Sequence, residues 1–80
     1  MNRVEKGKLY DLRNDAMAHA AWSITEQKKH EELTGSGNTA EAEAQLRQSD
    51  QDYGYALAVA DVLSALKCGG DKEIRRLLGQ

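Results

Sequence analysis

The chain has 80 residues, a formal net charge of −2, 40% apolar residues and a single cysteine. This length allows one small domain, and the absence of Phe with only one Trp leaves few large side chains for a core. A lone cysteine excludes an intramolecular disulfide, and no segment approaches the roughly 18 apolar residues of a membrane span. We therefore expect a cytoplasmic protein with no membrane segment.

The positions of glycine and the absence of proline predict an all-α fold. Most other residues between the glycine clusters favour helix, and no stretch alternates polar and apolar residues as a strand would. The chain is therefore expected to be one helical-hairpin domain, residues 1–80, with these parts: a helix over about 3–33, a loop at 34–38, a helix over about 39–67 and a short helix over about 71–78. Two long helices joined by a short loop are expected to pack antiparallel.

Local signals predict how these helices begin and end. Asn38 and Glu41 have the spacing of a capping box at the start of the second helix. Gly35 and Gly69 are predicted to be left-handed C-terminal caps, and Asp71 is predicted to be the N-cap of the short helix.

The first helix carries one main apolar stripe, which we expect to meet the second helix. Its members recur at helical spacing: Leu9, Leu12, Ala16, Ala20 and Ile24. The small side chains of Ala16 and Ala20 would let the two backbones approach closely.

Trp22 lies roughly opposite this stripe, among charged residues that include Asp15 and Glu26. Tryptophan is enriched at the centres of protein–protein interfaces. Trp22, Asp15 and Glu26 are therefore candidate contacts for a protein partner. The alternatives are that the third helix covers Trp22 or that Trp22 lies in a seam between copies of the chain.

Each of the two histidines follows an acidic residue by four positions, which places Asp15 beside His19 and Glu26 beside His30 on the helix surface. The histidines would lie about 16 Å apart along the axis, too far to share one ion. Their spacing also matches no helical metal motif. We expect surface ion pairs and no metal site.

The second helix carries two apolar stripes on different faces. One contains Tyr55, Val59, Val62, Leu63 and Leu66, and the other contains Leu46, Tyr53 and Leu57. A helix with two apolar faces needs two neighbours, so we expect a homodimeric four-helix bundle. The predicted oligomer core consists of Leu46, Tyr53, Leu57, Val59, Val62 and Leu66.

The middle of the chain is acidic, because residues 31–61 contain seven acidic side chains and one basic one, Arg47. Binding to nucleic acid depends on Lys and Arg that neutralise phosphates, so a nucleic-acid partner is disfavoured. An acidic surface favours a basic protein surface instead. Glu41 and Glu43 therefore join the candidate partner contacts.

No nucleophile–base pair, glycine-rich phosphate loop or Cys/His cluster is present, so we expect neither catalysis nor a cofactor. The favoured hypothesis is a small protein that self-associates and docks on a protein partner to inhibit or adapt it. Phage-encoded inhibitors and plasmid regulators share this composition, an analogy of composition alone. The alternative is an oligomer that captures a nucleotide or similar anion between protomers, with Tyr10, Arg13, Arg75 and Arg76 as ligand contacts.

Overall fold

The computed structural model describes residues 2–80 and contains three α-helices: α1 (Arg3–Gly35), α2 (Thr39–Ala65) and α3 (Asp71–Leu77). α1 and α2 form an antiparallel hairpin, and α3 packs on both of them. The predicted all-α hairpin with a short C-terminal helix is confirmed. No strand occurs between residues 2 and 80, and none of the helices there is long and apolar enough to cross a membrane.

The helices begin at the predicted residues, but their N-terminal capping contacts differ from the prediction. α1 is capped by Asn2, whose Oδ1 accepts from the Glu5 backbone N–H at 2.9 Å while its amide donates to the Glu5 carboxylate at 3.3 Å. The capping box predicted at Asn38 is wrong, since the Asn38 amide donates to Ser36 Oγ and caps nothing. The predicted N-cap Asp71 is instead the first residue of α3, after Gly70.

A residue with left-handed backbone conformation follows each helix, two positions after its last residue. For the first two helices this is not the glycine that the sequence predicted. Gly35 is the last residue of α1, and Gly37 supplies the positive φ. α2 ends before Gly69, because Lys67 already adopts φ 55°. A left-handed non-glycine residue costs roughly 1–2 kcal/mol.

Small side chains form the centre of the α1–α2 interface. Ala16 and Ala20 on α1, and Ala56 and Ala60 on α2, are all fully buried. The prediction that the Ala16–Ala20 stripe meets α2 is confirmed. Leu63 completes this core where α3 joins the hairpin.

The first of the two apolar stripes predicted on α2 is divided: Val59 and Leu63 are buried in the core beside the alanines, whereas Tyr55, Val62 and Leu66 are exposed. Val59 was predicted to be part of the oligomer core, but it is only 6% exposed within a single chain. Tyr53 and Leu57 were also predicted to be part of the oligomer core, and they are half-buried against the core of the single chain. Leu46 remains exposed.

α3 lies against the side of α2 that carries Tyr53 and Asp61. Arg75 forms an ion pair with Asp61 at 2.5 Å, and the Gln80 amide donates to Tyr53 Oη at 2.6 Å. Ile74 of α3 and Leu78, which directly follows α3, are buried in the core. One side of the hairpin is therefore partly covered by the chain itself.

The opposite side of the hairpin has no such cover. It carries Trp22 from α1 and Tyr55, Val62 and Leu66 from α2, all exposed. We call these four residues the open flank. The molecule is elongated and measures 52 × 21 × 13 Å along its principal axes.

Candidate functional site

An aromatic cluster forms the middle of the open flank. The His19 ring lies between Trp22 and Tyr55, with centroid distances of 4.9 Å and 4.5 Å. The contact with Trp22 is edge-to-face, a favourable geometry for aromatic pairs. Trp22 nevertheless stays 53% exposed, so neither α3 nor the rest of the chain covers it.

Hydrogen bonds from both helices hold this cluster in place. Tyr55 Oη donates to Asp15 Oδ2 at 2.6 Å, a bond that raises the pKa of the Tyr55 hydroxyl. His19 Nδ1 lies 2.7 Å from Asp52 Oδ1. A carboxylate only accepts, so Nδ1 carries the proton. The predicted pair of His19 with Asp15 is present at 3.8 Å, but the shorter contact is to Asp52.

Two acidic side chains meet beneath the aromatic cluster. Asp52 is buried, Glu26 is half-buried, and Glu26 Oε2 is buried without a hydrogen-bond donor. Burial raises the pKa of Glu26 to about 7, and the neighbouring Asp52 adds to the rise. Burial also acts to raise the pKa of Asp52, but hydrogen bonds from Glu26, His19 and Gln48 outweigh it and lower that pKa. The site therefore favours one proton on Glu26 and a charged Asp52.

Glu26 is accordingly not the exposed partner contact that the sequence suggested. Its carboxyl faces Asp52, and it does not pair with His30. His30 Nδ1 lies 2.7 Å from the Ala42 backbone carbonyl and donates to it across the hairpin. The sequence could not reveal either contact, because both depend on which turns of α1 and α2 lie opposite each other.

A pair of buried serines fixes that register one turn further along. Ser23 Oγ donates to the Ser49 carbonyl at 3.1 Å, and Ser49 Oγ donates to the Ser23 carbonyl at 3.0 Å. Sequence reasoning did not identify this pair. Ser23 continues the Ala16–Ala20 stripe at helical spacing, a signal that could have identified it as an interface residue.

The predicted acidic contacts are not brought together. Asp15 lies exposed in the aromatic cluster, whereas Glu41 and Glu43 are exposed near the start of α2. Asp52 marks the level of the cluster on α2, so Glu41 lies about 16 Å from it along the helix axis. Between residues 2 and 80, no group of three His, Cys, Asp or Glu side chains could hold a metal ion.

A cavity of about 380 Å³ lies at the other end of the hairpin, between the start of α1 and the end of α2. It brings together two of the predicted anion-binding residues, Tyr10 and Arg13. The other two, Arg75 and Arg76, do not line it, and Arg75 is already paired with Asp61. The cavity lies within one chain, whereas the sequence suggested a ligand held between protomers.

No protein-family model matches the chain, and comparison with curated proteins and with solved structures finds no match. The functional interpretation therefore depends on the geometry of the open flank and the cavity.

Proposed function

We propose that this chain is a non-enzymatic binding protein that self-associates and docks on a protein partner through the open flank, inhibiting or adapting that partner. The observation that carries the proposal is that Trp22, Tyr55, Val62 and Leu66 are exposed on the side of the hairpin that α3 does not cover. α3 packs against the other side of α2, while this side keeps large apolar groups in solvent.

Self-association is assigned to the part of the open flank formed by α2. Val62 and Leu66 are four positions apart, so their side chains share one stripe of the helix. Val62 is 47% exposed and Leu66 is 51% exposed. Two hairpins that face each other across these stripes would form a four-helix bundle, and a two-fold dimer uses the same stripe twice.

The small side chains of the core support this pairing. The centre of the α1–α2 interface consists of alanines, which bury little apolar area. Burial stabilises by about 25 cal/mol per Å² of apolar surface. A second copy of the chain packed on the open flank would bury further apolar surface and so stabilise both copies. Tertiary cover by α3 provides such burial on only one side.

Partner docking is assigned to the Trp22 end of the flank. Trp22 and Tyr55 are preoriented by His19, and Asp15 supplies a negative charge at their edge. Rigid aromatic residues beside a charge are typical of the centre of an interface. Trp22 lies roughly 15 Å along the hairpin from Val62, so one flank can hold a second copy and a partner. The partner surface would be apolar with a basic rim, and docking would block it sterically.

Replacing Trp22 tests the docking assignment. We expect Trp22→Ala to weaken partner binding by about 2 kcal/mol or more, which is typical of a central interface tryptophan. The measurement is affinity capture from lysate of candidate hosts, with quantitative mass spectrometry of the retained proteins and circular dichroism of each variant.

Tyr10→Ala is the matched control, because Tyr10 is an equally exposed aromatic residue outside the open flank. Proteins retained by the wild type and by Tyr10→Ala, but lost from Trp22→Ala, would support the proposal. An unchanged set of proteins on folded Trp22→Ala would contradict it.

A further inference from the structure

The cavity between the start of α1 and the end of α2 combines an apolar floor with a cationic rim. Leu9, Leu63 and Leu66 supply the apolar surface. Lys6, Arg13 and Lys67 supply the positive charges, and no acidic side chain lines the cavity. Its volume of about 380 Å³ lies in the range of small-molecule sites.

The position of Arg13 depends on local backbone geometry. Gly70 adopts φ 89°, and a Cβ atom at this position would collide with the Arg13 side-chain methylenes. The glycine therefore leaves the space through which the Arg13 side chain passes. The guanidinium carbon then lies 5.2 Å from the centroid of the Tyr10 ring.

Arg13 also has unused hydrogen-bonding capacity. Its Nε is buried without a hydrogen-bond partner. This nitrogen packs against Gly70, so an anion in the cavity would contact the terminal nitrogens of the guanidinium. The planar guanidinium suits the oxygens of a phosphate or carboxylate group.

We propose that this cavity binds a phosphate monoester attached to a flat apolar group, with a size up to that of a mononucleotide. The dianionic phosphate would be held by Arg13 and the two lysines, and the flat group would lie against Tyr10 and the leucines. Three cations match a group of charge near −2 better than a carboxylate of charge −1. This binding role goes beyond partner docking, because Leu66 is the one lining residue that also belongs to the open flank, and none of the three cationic residues does.

Isothermal titration calorimetry with 1-naphthyl phosphate, 1-naphthoate and inorganic phosphate tests the proposal. We expect naphthyl phosphate to bind at least about 10-fold more tightly than either other probe, since only it offers both the double charge and the flat group. Absence of naphthyl phosphate binding at millimolar concentration would overturn the proposal. Equal affinity for naphthoate would overturn the assignment to phosphate.

Two lysines on α1 provide a matched pair of variants. Lys6 lines the cavity, whereas Lys8 is exposed outside it. We expect Lys6→Gln to weaken naphthyl phosphate binding about 10-fold and Lys8→Gln to leave it unchanged, because a charge-assisted hydrogen bond is lost only in the first. Equal weakening by both variants would indicate general charge attraction and overturn the site.

The role of Arg13 is tested through Gly70 and Gly79, which both adopt positive φ. Gly70→Ala would displace the Arg13 side chain, whereas a Cβ at Gly79 meets no neighbouring atom within 4 Å. We expect folded Gly70→Ala to bind naphthyl phosphate more weakly than folded Gly79→Ala. Equal affinity of the two variants would overturn the placement of Arg13 in the site.

Discussion

Ala60→Leu is expected to destabilise the folded chain by about 1–3 kcal/mol or more, because a leucine does not fit between the helices at this point. Ala60 is fully buried in the alanine strip between α1 and α2. The added methylenes would force the helices apart and would disturb the serine hydrogen bonds that fix their register. For a small domain with a stability of only several kcal/mol, this loss would leave much of the chain unfolded.

Ala58→Leu is the matched control, since Ala58 is exposed on the same helix two residues earlier. Leucine and alanine differ little in helix propensity, so we expect a change within about 0.5 kcal/mol. Urea unfolding followed by circular dichroism at 222 nm measures both variants. Equal stability of Ala60→Leu and Ala58→Leu would contradict the close approach of the helices.

A second large effect is expected from pH, through Glu26. Its pKa is about 7 in the folded chain and 4.5 as the ordinary value, so the folded state holds this proton more tightly. The stability that this proton contributes is complete below about pH 4.5 and is lost as the pH rises through about 7. The full shift corresponds to about 3 kcal/mol, and partial exposure to solvent reduces this to about 1–2 kcal/mol.

Asp52 acts in the opposite direction at lower pH. Its pKa is lowered in the folded chain, so its contribution is present above its ordinary pKa of 3.8 and is lost as the pH falls through the folded value. The two acids together predict maximum stability near their ordinary pKa values of 3.8 and 4.5, with a steady loss as the pH rises from there to about 7. His19 and Gln48, which hydrogen-bond to Asp52, are the other polar groups that face this pair.

Glu26→Gln tests this account directly. Glutamine keeps the shape of the protonated acid and its donor toward Asp52, but it cannot ionise. Between pH 5.5 and 8, we expect the wild type to lose about 1–2 kcal/mol of unfolding free energy and Glu26→Gln to lose much less. Glu31→Gln is the control, because Glu31 is exposed on the same helix. The same pH dependence in all three proteins would show that Glu26 does not carry the effect.

The helices could be predicted from the sequence because helix boundaries and apolar stripes depend on residues that are close together in the chain. Glycine positions and the absence of proline indicated three helices, and the Ala16–Ala20 stripe indicated the face of α1 that meets α2. The face of α2 that contacts α1 was harder to predict, because an apolar stripe is recognised by its large side chains and Ala56 and Ala60 are small. The structure buries Ala56 and Ala60 beside Leu63, whereas Val62 and Leu66 stay exposed.

The polar sites could not be predicted because they depend on helix register and on the placement of α3. The contact between His19 and Asp52 joins residues 33 positions apart in the chain. No periodic pattern specifies which turns of two antiparallel helices lie opposite each other. The cavity has the same origin, since Arg13 reaches it only by passing Gly70 in the connection to α3.

The role of the open flank is tested most directly by light scattering coupled to size-exclusion chromatography. We predict a particle of about twice the 8.8 kDa chain mass for the wild type. Val62→Glu should reduce it to a single chain, and Leu46→Glu, at an exposed leucine of α2 outside the open flank, should leave it unchanged. A wild-type chain that remains monomeric at high micromolar concentration, or a Val62→Glu variant that still pairs, would contradict self-association through the open flank.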